Sequence, residues 1–158
     1  MTEDFLDFVR LLNKYQVNFI LVGGYAYAFN VQPRATEDID FWVYPTKENL
    51  LQLQAAANEF IGFKFDPDEV LELLKSSRLG FRLAGVKPNL IEILLRISGV
   101  DTDTAFANAR EAVWNDVPFR VIHPHDQIRN KRISNRDKDQ SDIKNLLKLY
   151  GEPPKPEV

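Results

Sequence analysis

Asp38 and Asp40 stand two residues apart in the apolar stretch Asp38-Ile39-Asp40-Phe41-Trp42-Val43. A strand has a side-chain period of two, so both acids point to one face and Ile39, Phe41 and Val43 to the other. Like charges side by side on a sheet repel. A divalent cation between them removes that repulsion, and hard cations such as Mg²⁺ prefer carboxylate oxygens. The plainer alternative is a solvated pair at a strand end, where acids ordinarily sit. The upstream pair Gly23-Gly24 favours the cation. It ends the mostly apolar run 17–22, lets the backbone turn sharply and leaves amide N–H groups uncovered. If residues 25–31 are helical, those amides sit at a helix N-terminus, where the macrodipole favours an anion. A third carboxylate, Glu92, lies in Leu90-Ile91-Glu92-Ile93-Leu94. Such a glutamate is costly unless paired or ligating a metal; the other reading is an edge-strand residue facing water. An anion-holding turn and three carboxylates are the equipment of phosphoryl-type transfer. Amides hold a polyphosphate, and two metals about 4 Å apart bridge its oxygens as a hydroxyl attacks.

The elements that must position these groups follow from spacing. Phe5, Phe8, Val9 and Leu12 predict a helix over 3–15 with Thr2 as its cap. Strands are predicted at 17–22 and 38–43, the second stopped by Pro45, and Thr46 caps a helix carrying Leu50, Leu53, Ala57 and Phe60. Asp66-Pro67-Asp68-Glu69 starts a further helix that buries Val70, Leu71, Leu73 and Leu74. Residues 79–86 and 89–95 read as two strands joined by a tight turn near Lys87-Pro88-Asn89. A helix is predicted over 101–113 with Ala105, Phe106, Ala109 and Val113 inward, and a last strand through Val117, Phe119 and Val121. The closing helix, near 139–150, ends at Gly151. The fold class is therefore α/β (α+β), a small mixed β-sheet flanked by helices. One domain spans 1–150, and the proline-rich residues 151–158 form a flexible tail.

Composition narrows the function. The chain has 158 residues, 44% hydrophobic and 27% charged, as in an ordinary globular protein. No run approaches the ~20 apolar residues of a membrane span, and the acidic start is unlike a signal peptide, so a cytoplasmic protein with no membrane partner is expected. Cys 0 excludes disulfides, thiolate chemistry and thiolate-bound zinc. A net charge of -3 argues against coating nucleic acid with the whole surface but leaves room for a local basic patch.

Gly23-Gly24, Arg34-x-Thr36 and Asp38-Ile39-Asp40, with the later run Lys131-Arg132 … Arg136-Asp137-Lys138-Asp139-Gln140-Ser141-Asp142-Ile143, resemble the DNA-polymerase-β-like nucleotidyltransferase superfamily. The likeness is closest to its small bacterial branch, the minimal nucleotidyltransferases and AbiEii-like proteins, and extends over about residues 8–150. The resemblance implies transfer of an NMP group from Mg-NTP to a hydroxyl on protein, RNA or a small molecule. Asp38, Asp40 and Glu92 would ligate two Mg²⁺ ions, with Mn²⁺ as the substitute. Glu92 would take the position associated with deprotonating the attacking hydroxyl. Gly23 and Gly24 would hold the β and γ phosphates, and Arg34 and Lys131 would neutralise their charge. Thr36, being uncharged, braces the Asp38 loop through its hydroxyl. Two positions depart from the pattern: Tyr25 stands where many active members have serine, and Glu92 where aspartate is usual. The rival expectation is a binding module, the toxin or antitoxin partner of a two-gene system, or a catalytically weak or dead relative that still binds nucleotide.

Several residues carry two readings. His123 and His125 either share a zinc ion or form a helix-start turn. Trp42 and Tyr25 either stack a nucleobase or fill the interior. The basic run at 129–138, with Arg136 and Lys138, either contacts triphosphate or RNA or is a solvated face, with Asp139 and Asp142 pairing its bases.

Overall fold

Thr2 accepts a hydrogen bond from the Phe5 amide and opens α1 (Glu3–Lys14), whose first-turn acids suit the positive end of the helix dipole. In this computed structural model, which describes residues 1–84 and 89–155, Phe5, Phe8, Val9 and Leu12 are all buried on one face of that helix. β1 (Phe19–Val22) runs straight into α2 (Gly23–Asn30). β2 (Asp38–Val43) then returns antiparallel to β1, with Val22 opposite Asp40. Thr46 caps α3 (Lys47–Ile61), which stops at left-handed Gly62. Asp66 and Pro67 begin α4 (Pro67–Glu72), shorter than its apolar residues suggested because the chain tightens into a 3₁₀ turn at Leu73–Lys75. β3 (Gly80–Ala84), β4 (Leu90–Leu94), α5 (Thr102–Asn108), β5 (Arg110–Trp114), β6 (Val117–Val121), α6 (Pro124–Ser134) and α7 (Asp137–Tyr150) complete the order.

The strands form one mixed sheet in the order β3-β4-β2-β1-β6-β5, with β2–β4 and β1–β6 parallel. On the face opposite the aspartates, Phe41 is fully buried between Phe8 of α1 and Phe19 of β1, with ring centroids 5.6 and 5.7 Å away. Burial of each such ring contributes about 2 kcal/mol and holds β2 flat on the helices. Among the described residues no helix is long and apolar enough to cross a membrane.

Three expectations need correction or limits. The helix expected over 101–113 stops at Asn108, and Arg110–Trp114 is a strand. Asn115 and Asp116, at φ 46 and 63, make a tight left-handed turn that lays β5 antiparallel on β6. That turn favours asparagine and aspartate, and the strand pairing it creates outweighs the helical spacing of Ala109 and Val113. Val113 is consequently 63% exposed. Glu92 is not on an edge strand, since β4 lies between β3 and β2. The turn expected near Lys87 and Pro88 falls outside the described residues. Beyond α7, Glu152 pairs with Arg132 and the Pro154 carbonyl accepts from Arg129.

Candidate functional site

The parallel pairing of β2 with β4 puts Asp40 directly beside Glu92. Asp38, Asp40 and Glu92, all half-buried, each offer a carboxylate oxygen, and these oxygens lie within 4.8 Å of one another. Such crowding is electrostatically unfavourable. Burial, then the Asp38 charge, then a hydrogen bond and charge from Glu92 push the Asp40 carboxyl up to about 8, opposed only by Arg136. An all-oxygen cluster that repels itself is the donor set a hard divalent cation requires, so these residues fit Mg²⁺ or Mn²⁺.

The diglycine lies against this cluster. Gly23 has φ +72, and a Cβ there would come 2.3 Å from Asp40 Oδ2. A Cβ on Gly24 would meet Thr36 Oγ1 at 2.8 Å. Both positions thus exclude a side chain, and Gly23 also needs the left-handed backbone that glycine alone adopts freely. The Gly23 carbonyl accepts from Gln127 Nε2 at 3.2 Å, tying the turn to α6. Thr36 donates its hydroxyl to the Asp38 carbonyl at 3.2 Å, the brace inferred from its type.

The basic run arrives on α6 and α7. Lys131, only 4% exposed, reaches Asp142 at 2.8 Å and Asp139 at 3.5 Å. Arg34 Nη2 meets Asp142 at 3.0 Å, and Arg136 Nε meets Asp139 at 3.1 Å. The Tyr27 ring lies under both inner cations, 4.8 Å from the Arg34 guanidinium and 5.8 Å from Lys131 Nζ. Burial alone would raise the Asp139 carboxyl, but hydrogen bonds from Ser134 and Arg136 and the Lys131 charge hold it well below the carboxylate range. Asp139 and Asp142 do pair with the bases, as the sequence suggested.

One cavity of about 260 Å³ gathers these groups: Gly23, Gly24, Arg34, Thr36, Asp38, Asp40, Lys131, Arg136 and Lys138 all line it. Glu92 joins through the acidic cluster. Tyr25 lies apart from this cavity. It lines a neighbouring one of about 320 Å³ with Phe29 and Trp114, its ring edge-on to Phe5 at 5.6 Å. Burial and the Asp38 charge raise its hydroxyl above the ordinary tyrosine value. Trp42 is fully buried edge-on against Phe106, 5.3 Å away, so it is a core residue and not a stacking platform. His123 caps α6 by accepting from the His125 amide, which is the helix-start reading. Gln127 and Asn130, which line the same cavity, were missed. No spacing marks them, because only the fold of α6 across the end of β1 brings them there.

Residues 7–138 match the family described as "Nucleotidyl transferase AbiEii toxin, Type IV TA system". No match is found among curated proteins. Solved structures share the fold. The crystal structure of ANT(2″)-Ia in complex with adenylyl-2″-tobramycin has 16% identity over 96% of this chain and 91% of that chain, with a TM-score of 0.61. The solution structure of the antibiotic-resistance factor ANT(2″)-Ia has 13% identity over 94% of this chain and 84% of that one, TM-score 0.58. An antigenic nucleotidyltransferase-like protein from Paracoccidioides brasiliensis has 19% identity over 94% and 78%, TM-score 0.53. At such identity the likeness speaks for the fold alone.

Proposed function

The chain belongs to the AbiEii nucleotidyl transferase family, described as a toxin family of type IV toxin–antitoxin systems, and from that premise we propose that it moves an NMP group from NTP to a hydroxyl acceptor. The observation that carries this reading is the convergence of Asp38, Asp40 and Glu92 within 4.8 Å beside a turn where a Gly23 side chain would strike Asp40. Those carboxylates would hold two Mg²⁺ or Mn²⁺ ions, which when bound supply charge neutralisation on the triphosphate and ease ionisation of the acceptor hydroxyl. The Gly23 and Gly24 amides receive the β and γ phosphates. Arg34, Lys131, Arg136 and Lys138 face the same cavity and spread the remaining negative charge. Thr36 fixes the backbone at Asp38. Glu92 takes the proton of the acceptor hydroxyl, whose oxygen attacks the α-phosphorus as the bond to the bridging oxygen breaks and pyrophosphate leaves. Tyr25 borders the site from the neighbouring cavity, and its ring would cover the nucleobase.

Incubating the protein with labelled NTPs, Mg²⁺ and cell lysate tests this. Label should appear in an acceptor with wild-type protein and vanish with Asp38→Asn/Asp40→Asn. Undiminished transfer by that variant refutes the mechanism.

One observation favours a second reading, a partner of a toxin–antitoxin pair with little turnover. Arg34 and Lys131 are already paired with Asp142, so a triphosphate must compete for them. Absence of Mg-NTP binding by calorimetry, together with a stable complex with a neighbouring gene product, would select that reading.

A further inference from the structure

Glu92 lines one space and meets a second through its cluster with Asp38 and Asp40. On the β2 side lies the cavity proposed for triphosphate; on the β3 side lies a separate groove of about 600 Å³ lined by Arg78, Phe81, Arg82 and Leu94 together with Glu92. β3 and β4 pair antiparallel with Arg82 opposite Glu92 and Gly80 opposite Leu94, so the Arg82 and Glu92 side chains share a face. Gly80 is obligatory here, because a Cβ would sit 1.9 Å from the Ile93 carbonyl oxygen. The groove therefore has a floor with no side chain at that point. Arg78 and Arg82 are both exposed, and among the described residues neither has an ion-pair partner. The contrast with the triphosphate cavity matters, for there Arg34, Lys131 and Arg136 are all held by Asp139 or Asp142.

In an in-line displacement the entering and leaving oxygens lie on opposite sides of the phosphorus. If pyrophosphate leaves on the diglycine side, the attacking hydroxyl enters from the side of Glu92, which is the side of this groove. We propose that the β3–β4 groove binds the acceptor, and that the acceptor carries a phosphate group near its reacting hydroxyl, held by Arg78 and Arg82. The inference rests on the nucleotidyl-transfer reading of the same site. Guanidinium groups match phosphate bidentately and stay charged at every working pH. A polycationic acceptor would be repelled by the same pair.

The test is calorimetric binding in the presence of Mg²⁺ and a non-hydrolysable NTP analogue, with glucose 6-phosphate, a short RNA and uncharged glucose as probes. Wild-type protein should bind a phosphate-bearing probe and not glucose. Arg78→Ala/Arg82→Ala should weaken that binding about tenfold or more, with melting temperature and affinity for the NTP analogue unchanged. If RNA is the probe bound, the salt slope should fall by about 1.4 for two lost phosphate contacts. Binding of glucose 6-phosphate points to a small phosphorylated acceptor, and binding of RNA alone to a polynucleotide end. Should the double variant fold poorly, Arg78→Ala alone, in the irregular segment before β3, is read the same way. Affinity for both probes within twofold of wild type, or a wild-type protein that holds Mg-NTP but neither probe, overturns the inference. Failure of wild-type protein to bind Mg-NTP at all is the distinct result that removes the catalytic reading, and the variant still reports on the groove.

Discussion

Asp40→Asn should make the metal-free protein more stable while abolishing its activity. The folded protein holds the Asp40 carboxyl at about 8 against an ordinary 3.8. A carboxyl raised in the folded state contributes stability that is fully present below the ordinary value and is lost as pH rises through the folded one. Each pH unit between those limits is worth ~1.4 kcal/mol, an upper bound of roughly 4 kcal/mol by pH 7. The cluster is partly exposed and screened by solvent, so about 2 kcal/mol is the reasonable expectation. Asparagine has the same shape, carries no charge and can donate to Glu92. In EDTA at about pH 8 its melting temperature should exceed wild type by about 4–8 °C, and the gap should close toward pH 4. The same repulsion must be relieved when a cation enters, so Mg²⁺ binding near pH 7 should release close to one proton, seen as a buffer-dependent heat in calorimetry. A variant no more stable than wild type at pH 8, with Mg²⁺ binding that releases no proton, would refute the account of the cluster.

Gly23→Ala combines a left-handed backbone with a methyl 2.3 Å from Asp40 Oδ2; it should cost about 2 kcal/mol or more and remove Mg²⁺-induced stabilisation in a melting assay. Asp142→Asn takes from buried Lys131 its nearest partner and from Arg34 its own, and should lower the urea midpoint by an amount equivalent to about 3 kcal/mol. Asp139, held well below the carboxylate range by Ser134, Arg136 and Lys131, contributes stability that is present above pH ~4 and lost on acidification. Asp139→Asn should therefore lower stability at neutral pH and flatten its decline on acidification, measured by chemical denaturation across pH. Mg²⁺ and NTP should each bind at least about tenfold tighter in the presence of the other, by calorimetry in both orders of addition.

How much of this was legible depended on whether the signal was local. Thr2, Thr46 and the Asp66-Pro67 pair announce helix starts that involve only neighbouring residues, and all three are used. Asp38 and Asp40 share a face because a strand has a period of two, a property of the backbone itself. The convergence of Glu92 on them is non-local; the cost of a glutamate inside an apolar strand and the family likeness pointed to it, and the parallel register of β2 and β4 realises it. Periodicity misread residues 110–114 because Ala109 and Val113 fit a helix as well as a strand. The deciding information was the left-handed pair Asn115-Asp116 and the partner strand beyond it. Trp42 was ambiguous for a similar reason. Its face carries the aspartates at one end, but α5 covers the other end with Phe106.

The arrangement of charge explains why these separate expectations belong together. The cavity holds the cations Arg34, Lys131, Arg136 and Lys138 on one wall and the acidic cluster on the other. Asp139 and Asp142 cancel about half of the first wall, and both pair with Lys131, which is only 4% exposed. The proton held by Asp40 cancels part of the second. The resting site is thus close to neutral, with each wall balanced by a local substitute. Adding a divalent cation alone leaves the basic wall facing more positive charge, and adding a triphosphate alone sets four further negative charges beside three carboxylates. Together the two ligands would replace the substitutes, the cation displacing the Asp40 proton and the phosphates drawing Arg34 and Lys131 from Asp142. Each ligand would thereby remove the cost the other meets, and the coupling expected between them would follow from Coulomb's law acting within one cavity of about 260 Å³.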